Sequence, residues 1–341
     1  MTSNNSITIG ETLIGPGKRV TVNLPIADLY TGTALSMPVK VVCGRKHGPV
    51  LFVSAAVHGD ELNGVEIIRR LLKRKGLLSL RGTLIAVPVV NVHGFLNQSR
   101  YLPDRRDLNR CFPGSPRGSI AARLANTFLT EIVKKSDFGI DLHTGAINRS
   151  NLPQIRANLD DPTTLKLAKA FGVPVILNSD LRDGSLRACA ADLDMPVLIY
   201  EAGEALRFDE VCIRGGLRGI LNVMREIGML PDRKVSTQAT PVEARSTSWV
   251  RAPSSGIVSR IVKLGATVSS DETLATVGDP LGDNVDEVLA PFDGIIIGRS
   301  NLPLAHEGDA LFNVAAFRST AAAESRVEDF VTSIEPNGQF N

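Results

Sequence analysis

The chain has 341 residues, is 43% hydrophobic and 22% charged, and carries 38 basic against 36 acidic residues for a net charge of +2. That near balance argues against a nucleic-acid or anionic-membrane surface as the main partner and leaves only a local basic pocket for a small anion. The length suits one large domain with a small one, or two medium domains.

Cys43, Cys111, Cys189 and Cys212 are scattered without a CxxC pair, so neither a zinc ribbon nor a disulfide framework is expected, and structural thiols in a reducing compartment are. The opening "MTSNNSITIG" is polar and lacks the basic and apolar regions of a signal peptide. The longest apolar runs, "VLFVSAAV" and "LIAVPVV", fall far short of the ~20 residues of a membrane span, and the expected location is cytoplasmic.

In chain order, short apolar runs alternate with longer amphipathic ones. "PVLFVSAAV" reads as a strand and "ELNGVEIIRRLLKRKG" as a helix, with Leu62, Val65, Ile68, Leu71 and Leu72 at helical spacing and Gly76 at the stop. "GTLIAVPVVN" is a second buried strand. "SIAARLANTFLTEIVKKS" is a helix opened by Ser119, "FGIDLHTG" a strand, and "DPTTLKLAKAFG" a helix closed by Gly172. "DMPVLIYEAGE" is a further strand, followed by the helical stretch through "CIRGGLRGILNVMREIG". The alternation predicts an α/β domain with a largely parallel or mixed sheet flanked by helices.

The pattern changes after the polar "LPDRKVSTQATPVEARSTS". From Trp249 to Val314 short Val/Ile runs are separated by "PSSG", "LGA", "VGDPLGDN", "PFDG" and "EGD", which predicts a small all-β module. The expected organisation is a catalytic domain over 1–235, a linker over 236–248, the β module over 249–318, and a tail over 319–341 with a short helix.

Ligands of open α/β sheets bind at the carboxyl ends of strands, and here each strand end delivers polar groups: "AAV" into "HGDE", "PVVN" into "VHG", "GIDLH" into "TG", "VLIY" into "EAGE". His58 and Glu61, three apart, can chelate one cation from one turn. His143, at the end of a separate strand, supplies a third donor. Two imidazoles and a carboxylate with an open fourth position make a catalytic zinc set, with one zinc expected per chain. Asp141 is a candidate to orient one imidazole, and Asp60 is not expected to be a ligand. Glu201 is the candidate general base, since a carboxylate beside an activated water can take its proton and pass it to a leaving amine. Glu204 is its competitor.

The loop "NQSRYLPDRRDLNRCFPG" carries Arg100, Arg105, Arg106, Asn109 and Arg110, of which Arg105 and Arg106 read as solvated surface. Arginine's planar fork suits carboxylate recognition.

"HGDELNG", "RYLPDRRDLNRCFPG", "DLHTG" and "YEAG", in that order, resemble the succinylglutamate desuccinylase/aspartoacylase family of zinc carboxypeptidase-like hydrolases. The resemblance spans about residues 45 to 205, and the β module also has a counterpart in the family. It implies zinc on His58, Glu61 and His143, Glu201 as general base and acid, and Arg100 polarising the scissile carbonyl. It also implies substrate carboxylate binding by Asn109 and Arg110, a pocket wall with Asn151, Gln154 and Arg156, and an anion contact at Arg187. The acyl pocket matches neither N-acetylaspartate nor N-succinylglutamate specifically, and bacterial deacetylases acting on N-acetylated diamino acids are the nearer resemblance.

The module's halves, "APSSGIVSRIVKLGATVSSDETLATVGD" and "APFDGIIIGRSNLPLAHEGDALFNV", resemble a biotinyl/lipoyl-like barrel sandwich. A carrier would present a lysine on the hairpin between them. That hairpin reads "PLGDNVDEV", and Lys263 lies elsewhere, so a lid or wall over the metal cleft is expected instead. His306 on this module reads as core or surface filler.

The expected activity is zinc-dependent removal of an N-acetyl- or N-succinyl-type group from a small amino acid. A metallocarboxypeptidase acting on short peptides is the alternative in the same class, and a non-enzymatic carrier the alternative from another. Homo-oligomerisation is left open.

Overall fold

The computed structural model describes residues 5–232, 241–317 and 320–334. Its framework is a mixed sheet of 13 strands. Four parallel strands form the centre, in the order Arg81–Val87, Lys46–Ala55, Phe138–Gly145 and Val197–Glu204. On one side Ala34–Cys43 and Arg19–Asp28 continue it antiparallel; on the other, Arg149–Ala157 runs antiparallel to Val197–Glu204. The fold is therefore mixed α/β, with the strands that carry the strand-end polar residues in its parallel centre and a further parallel pairing of Val175–Asn178 with Arg149–Ala157 at one side.

Period-two alternation decides what each face meets. Leu51, Val53, Ala55, Ile140, Leu142, Leu198 and Tyr200 enter a core with the helices Asn63–Leu72, Pro162–Phe171 and Glu210–Glu226. Phe52, Val39 and Val41 enter a second core with Leu124 and Phe128 of the helix Ile120–Glu131. Asp141 and His143, offset by one residue from Ile140 and Leu142, emerge on the second face.

The helix ends follow local chemistry. Ser119, Asp161 and Asp209 each accept a backbone N–H in the first turn of the helix they precede. Gly172 closes its helix in the left-handed region, where a side chain would be strained. Within Asn63–Leu72, Gly64 permits a close crossing: a Cβ there would lie 2.7 Å from the Cβ atoms of Ala55 and Leu142.

Two helices are tied by charge. Glu66 accepts from Arg69 and Arg70, and Arg70 also donates to Glu210 at 2.8 Å. The Arg69 contact holds the Glu66 carboxyl down to about 2, and the Arg70 contact does the same for Glu210. Both folded values lie below the ordinary 4.5, so this stabilisation is complete above 4.5 and is lost as pH falls from there toward 2. The melting-temperature gap between wild type and Glu66→Gln should accordingly narrow as pH drops below 4.5, and a constant gap would remove charge as its cause.

Of the polar stretch expected to link the two parts, 236–240 lie outside the described residues. Val242–Ala244 forms a strand parallel to Val175–Asn178, and Ser246–Arg251 pairs with Ala310–Ala316. Beyond it, the described residues to 317 hold strands and no helix, with a core of Val258, Leu274, Val277, Val288, Leu311 and Phe312. This β module joins the main sheet through Gly294–Ser300, which pairs antiparallel with Arg149–Ala157 at Gly298–Asn151, Arg299–Ser150 and Ser300–Arg149. The helix Thr320–Ile334 returns to the first core through Phe330 and Ile334, and the rest of the expected tail lies outside the described residues. Among the described residues no helix is long and apolar enough to cross a membrane.

Candidate active site

The strand Lys46–Ala55 ends in a turn that places His58 and Glu61 in the interior, at 4% and 1% exposure. Gly59 lies in this turn because of a close approach. A Cβ there would sit 2.0 Å from the Gly94 carbonyl carbon, and Gly59 is absent from the positive-φ glycines, so an unusual backbone angle is not the reason.

Glu61 is shared between two imidazoles. Its Oε1 lies 2.7 Å from His58 Nδ1 and its Oε2 lies 2.8 Å from His143 Nδ1. The Thr144 amide donates to Oε2 at 3.2 Å. Behind each ring stands an aspartate: His58 Nε2 is 3.1 Å from Asp107 Oδ1, and His143 Nε2 is 2.7 Å from Asp141 Oδ2. Ser54 Oγ donates to the other oxygen of Asp141 at 2.7 Å. Both rings thus turn Nδ1 inward and have Nε2 held from outside, an arrangement that fixes ring orientation in metal sites.

Burial disfavours charge on these groups, yet the pairings prevail. Glu61 and Asp107 raise His58, while Asp141 and Glu61 raise His143 well above the usual imidazole value. Burial would raise Glu61, but the two imidazoles hold it far below the ordinary carboxylate range. A field that favours protons on both rings favours a cation between them. One ligand atom each from His58, Glu61 and His143 all lie within 4.8 Å of one another, so the group could hold a metal ion.

Arg100 closes one side, donating through Nη1 to Glu61 Oε1 at 3.2 Å and through Nη2 to Asp107 Oδ2 at 3.1 Å. Asp107 therefore joins His58, Arg100 and, through the Asn109 amide at 2.8 Å, the turn Leu108–Arg110. Sequence reasoning missed it; its signal was an acid directly preceding "LNR" in a loop where arginines outnumber the acids Asp104 and Asp107. Asp107→Asn should weaken metal binding about 10- to 100-fold while the fold persists, read by metal titration. Unchanged affinity would make Asp107 a brace for Arg100 alone.

Glu201 is level with His143 on one side and with Gln154 on the other, so the three share a face. Asn151 Nδ2 donates to Glu201 Oε2 at 2.9 Å. Its competitor Glu204 is occupied elsewhere: Oε1 accepts the Asn148 amide at 3.0 Å and Oε2 accepts Asn301 Nδ2 at 2.8 Å. Glu204 thereby clips the β module to the turn after His143.

Asn109 is buried, and its Oδ1 accepts the Leu186 amide at 2.9 Å, while Arg110 beside it is exposed. Arg156 lies two residues beyond Gln154 on the same face. Arg187 is 7% exposed and donates through Nη2 to Ser179 Oγ at 3.2 Å and to the Asp180 carbonyl. Arg182, not singled out from the sequence, is repelled by Arg110 and Arg156 and attracted by Glu201. It sits in an irregular segment that no periodicity marks. Asp60 is buried, its carboxyl is raised by burial and by Glu61, and it is not among the clustered donors. His306 lies on the module beside a surface depression with Ile257 and Leu304.

Residues 47–227 match the model of the succinylglutamate desuccinylase/aspartoacylase catalytic domain. The N-alpha-acetyl-L-2,4-diaminobutyric acid deacetylase of Halomonas elongata is 28% identical over 311 residues, 86% of this chain and 90% of that protein. The crystal structure of a succinylglutamate desuccinylase/aspartoacylase from Rhodobacter sphaeroides superposes with a TM-score of 0.78 at 26% identity, covering 88% of this chain and 95% of its own. The product-bound ectoine utilization protein EutE (DoeB) of Ruegeria pomeroyi shares the fold, with a TM-score of 0.81 at 23% identity over 92% of this chain and 99% of its own. With its family-model match spanning the residues that carry the His–Glu–His cluster and Glu201, the chain belongs to the succinylglutamate desuccinylase/aspartoacylase family.

Proposed function

We propose that this chain is a zinc-dependent amidohydrolase that removes the acyl group from a small N-acyl amino acid. The observation that carries the reading is the buried Glu61 carboxylate shared by two imidazole Nδ1 atoms, with Glu201 paired in register with His143 on the neighbouring strand. The Halomonas elongata relative, named as an N-acetyl-diamino-acid deacetylase, supports the reaction class. His58, Glu61 and His143 would hold one zinc ion, whose donor set of two nitrogens and a carboxylate leaves a position open. Such an ion supplies Lewis acidity and brings the pKa of a water toward ~7.

The chain's own residues do the rest. Glu201 takes the proton from the attacking water and passes it to the departing amine, so that amide C–N cleavage yields a carboxylate and a free amino acid. Asn151 keeps one Glu201 oxygen engaged and so orients the other. Arg100, fixed by Glu61 and Asp107, presents a guanidinium to the oxygen of the scissile carbonyl as negative charge develops there. Asn109 and Arg110 bind the substrate carboxylate. The β module acts as a wall, held beside the site by the Gly294–Ser300 ladder and the Asn301–Glu204 bond. Four free cysteines, three of them buried, suit a reducing compartment, and the proposed place of action is the cytoplasm.

The test is a panel of N-acetyl and N-succinyl amino acids assayed for released amine with zinc-loaded protein. Release from at least one member, lost on chelation and regained with zinc, is expected. No release from any member would end the deacylase reading.

A further inference from the structure

The strand Arg149–Ala157 is irregular beside Glu201. Glu201 pairs with Gln154 and Gly203 with Asn151, so three steps along this strand are set against two along Val197–Glu204. Side chains of a regular strand alternate, and the extra residue is what brings Asn151 and Gln154, three apart, to the same face. Asn151 is buried there at 9% exposure, and its Nδ2 donates to Glu201 Oε2 at 2.9 Å. Bulges beside active sites re-aim side chains, and the side chain re-aimed here is the one that holds the Glu201 carboxylate.

The other neighbour of Asn151 belongs to the β module. Gly298 pairs with Asn151 on one side and with Asn313 on the other. Its backbone lies outside the left-handed region, so space and not conformation asks for glycine within this strand. A Cβ there would lie 3.1 Å from Asn151 Oδ1 and 3.4 Å from Asn313 Cβ. Asn313 is 2% exposed and backed by Trp249 on the next strand, so an added methyl would press on the Asn151 amide. Three residues on, Asn301 Nδ2 donates to Ser150 Oγ at 2.6 Å and to Glu204 Oε2 at 2.8 Å. The Asn301 amide N–H donates to the Asn148 carbonyl at 2.7 Å. The module therefore grips residues 148–151 at both ends, and grips Glu204 as well.

We propose that Gly298 is a positioning residue for Glu201, acting through Asn151, so that docking of the β module aims the general base as well as walling the site. This rests on the deacylase reading above. The space left by Gly298 fixes where the Asn151 amide sits, and that amide fixes one oxygen of Glu201. Asn301 holds the same segment from its far end. Disturbing this joint lowers turnover while the residues that bind substrate stay in place. A module that only walls the site would act on substrate binding, and so on KM.

The experiment measures kcat and KM of the full chain, per bound zinc, on the N-acetyl or N-succinyl amino acid that the wild type cleaves fastest. The variants are Gly298→Ala, Asn301→Ser and Asn151→Ala, and each of the first two combined with the third. Gly298→Ala should lower kcat about 10- to 100-fold with KM unchanged, as a small misplacement of a reacting group does. Asn301→Ser should act in the same direction. Neither should lower kcat further once Asn151 is replaced by alanine, because residues acting through one contact do not add. Counting turnover per bound zinc removes misfolded chains from the reading, and Asn301→Ser, at a half-buried side chain, probes the same segment if Gly298→Ala does not fold. Crystals of the wild type and the two module variants read the coupling without turnover. The Asn151–Glu201 contact should lose hydrogen-bond distance in the variants, and that displacement supports the positioning role even if no amide is cleaved, in which case only the deacylase reading fails. Amide cleavage with an unchanged kcat, a loss carried by KM, losses that add to that of Asn151→Ala, or an Asn151–Glu201 contact unmoved by both module variants overturns the positioning role and leaves the deacylase reading standing.

Discussion

Glu201→Gln is expected to lower kcat about 100- to 10,000-fold while metal content stays at the wild-type level. An amide cannot accept the proton of the attacking water at neutral pH. Its carbonyl oxygen can still accept from Asn151 Nδ2, so the side chain should keep its place beside His143. The loss should therefore appear in kcat with little change in KM, since Asn109 and Arg110, proposed to bind the substrate carboxylate, are untouched. Amine release under saturating substrate, measured alongside metal analysis of the same preparation, checks both halves. Retained turnover would move the proton acceptor to another group. Glu204 is a poor substitute, because both of its oxygens are already engaged by Asn148 and Asn301.

His143→Ala should have an effect at least as large, by a different route. His143 is one of the three clustered donors among the described residues, and its ring is held between Glu61 and Asp141. Removing it leaves one imidazole and one carboxylate, and metal affinity should fall well beyond the roughly 100-fold ceiling associated with supporting residues. Activity should fall with it and return only partly at high zinc. Glu61→Gln should behave similarly, because the Glu61 carboxylate is the charge common to both rings. A His143→Ala protein with wild-type zinc content would show that the metal sits elsewhere.

Much of this site is legible in the chain because its parts lie where regular structure stops. His58 follows a Val-rich strand, and His143 and Glu201 end two others. The helix start at Ser119 and the stop at Gly172 are local chemistry, and the structure places them as the pattern implies. What escaped depends on partners far away in sequence. Val242–Ala244 lies in a polar stretch with no strand pattern of its own, and becomes a strand by pairing with Val175–Asn178. Asp107 looks like one charge in a charged loop until His58, 49 residues earlier, is found against it. Arg182 lies in a loop, and only the fold brings it within electrostatic reach of Arg110, Arg156 and Glu201. Gly59 also depends on distant partners, since close backbone approach by Gly94 and Phe95 excludes a side chain there.

The inward-facing Nδ1 atoms make a geometric demand that one measurement can meet or refuse. An anomalous difference map from a crystal of the zinc-loaded protein, recorded above the zinc absorption edge, should hold one strong peak per chain. That peak should lie ~2.0–2.2 Å from His58 Nδ1, His143 Nδ1 and a Glu61 oxygen. A fully active, zinc-loaded crystal whose peak lies away from these three residues would contradict the account at its centre.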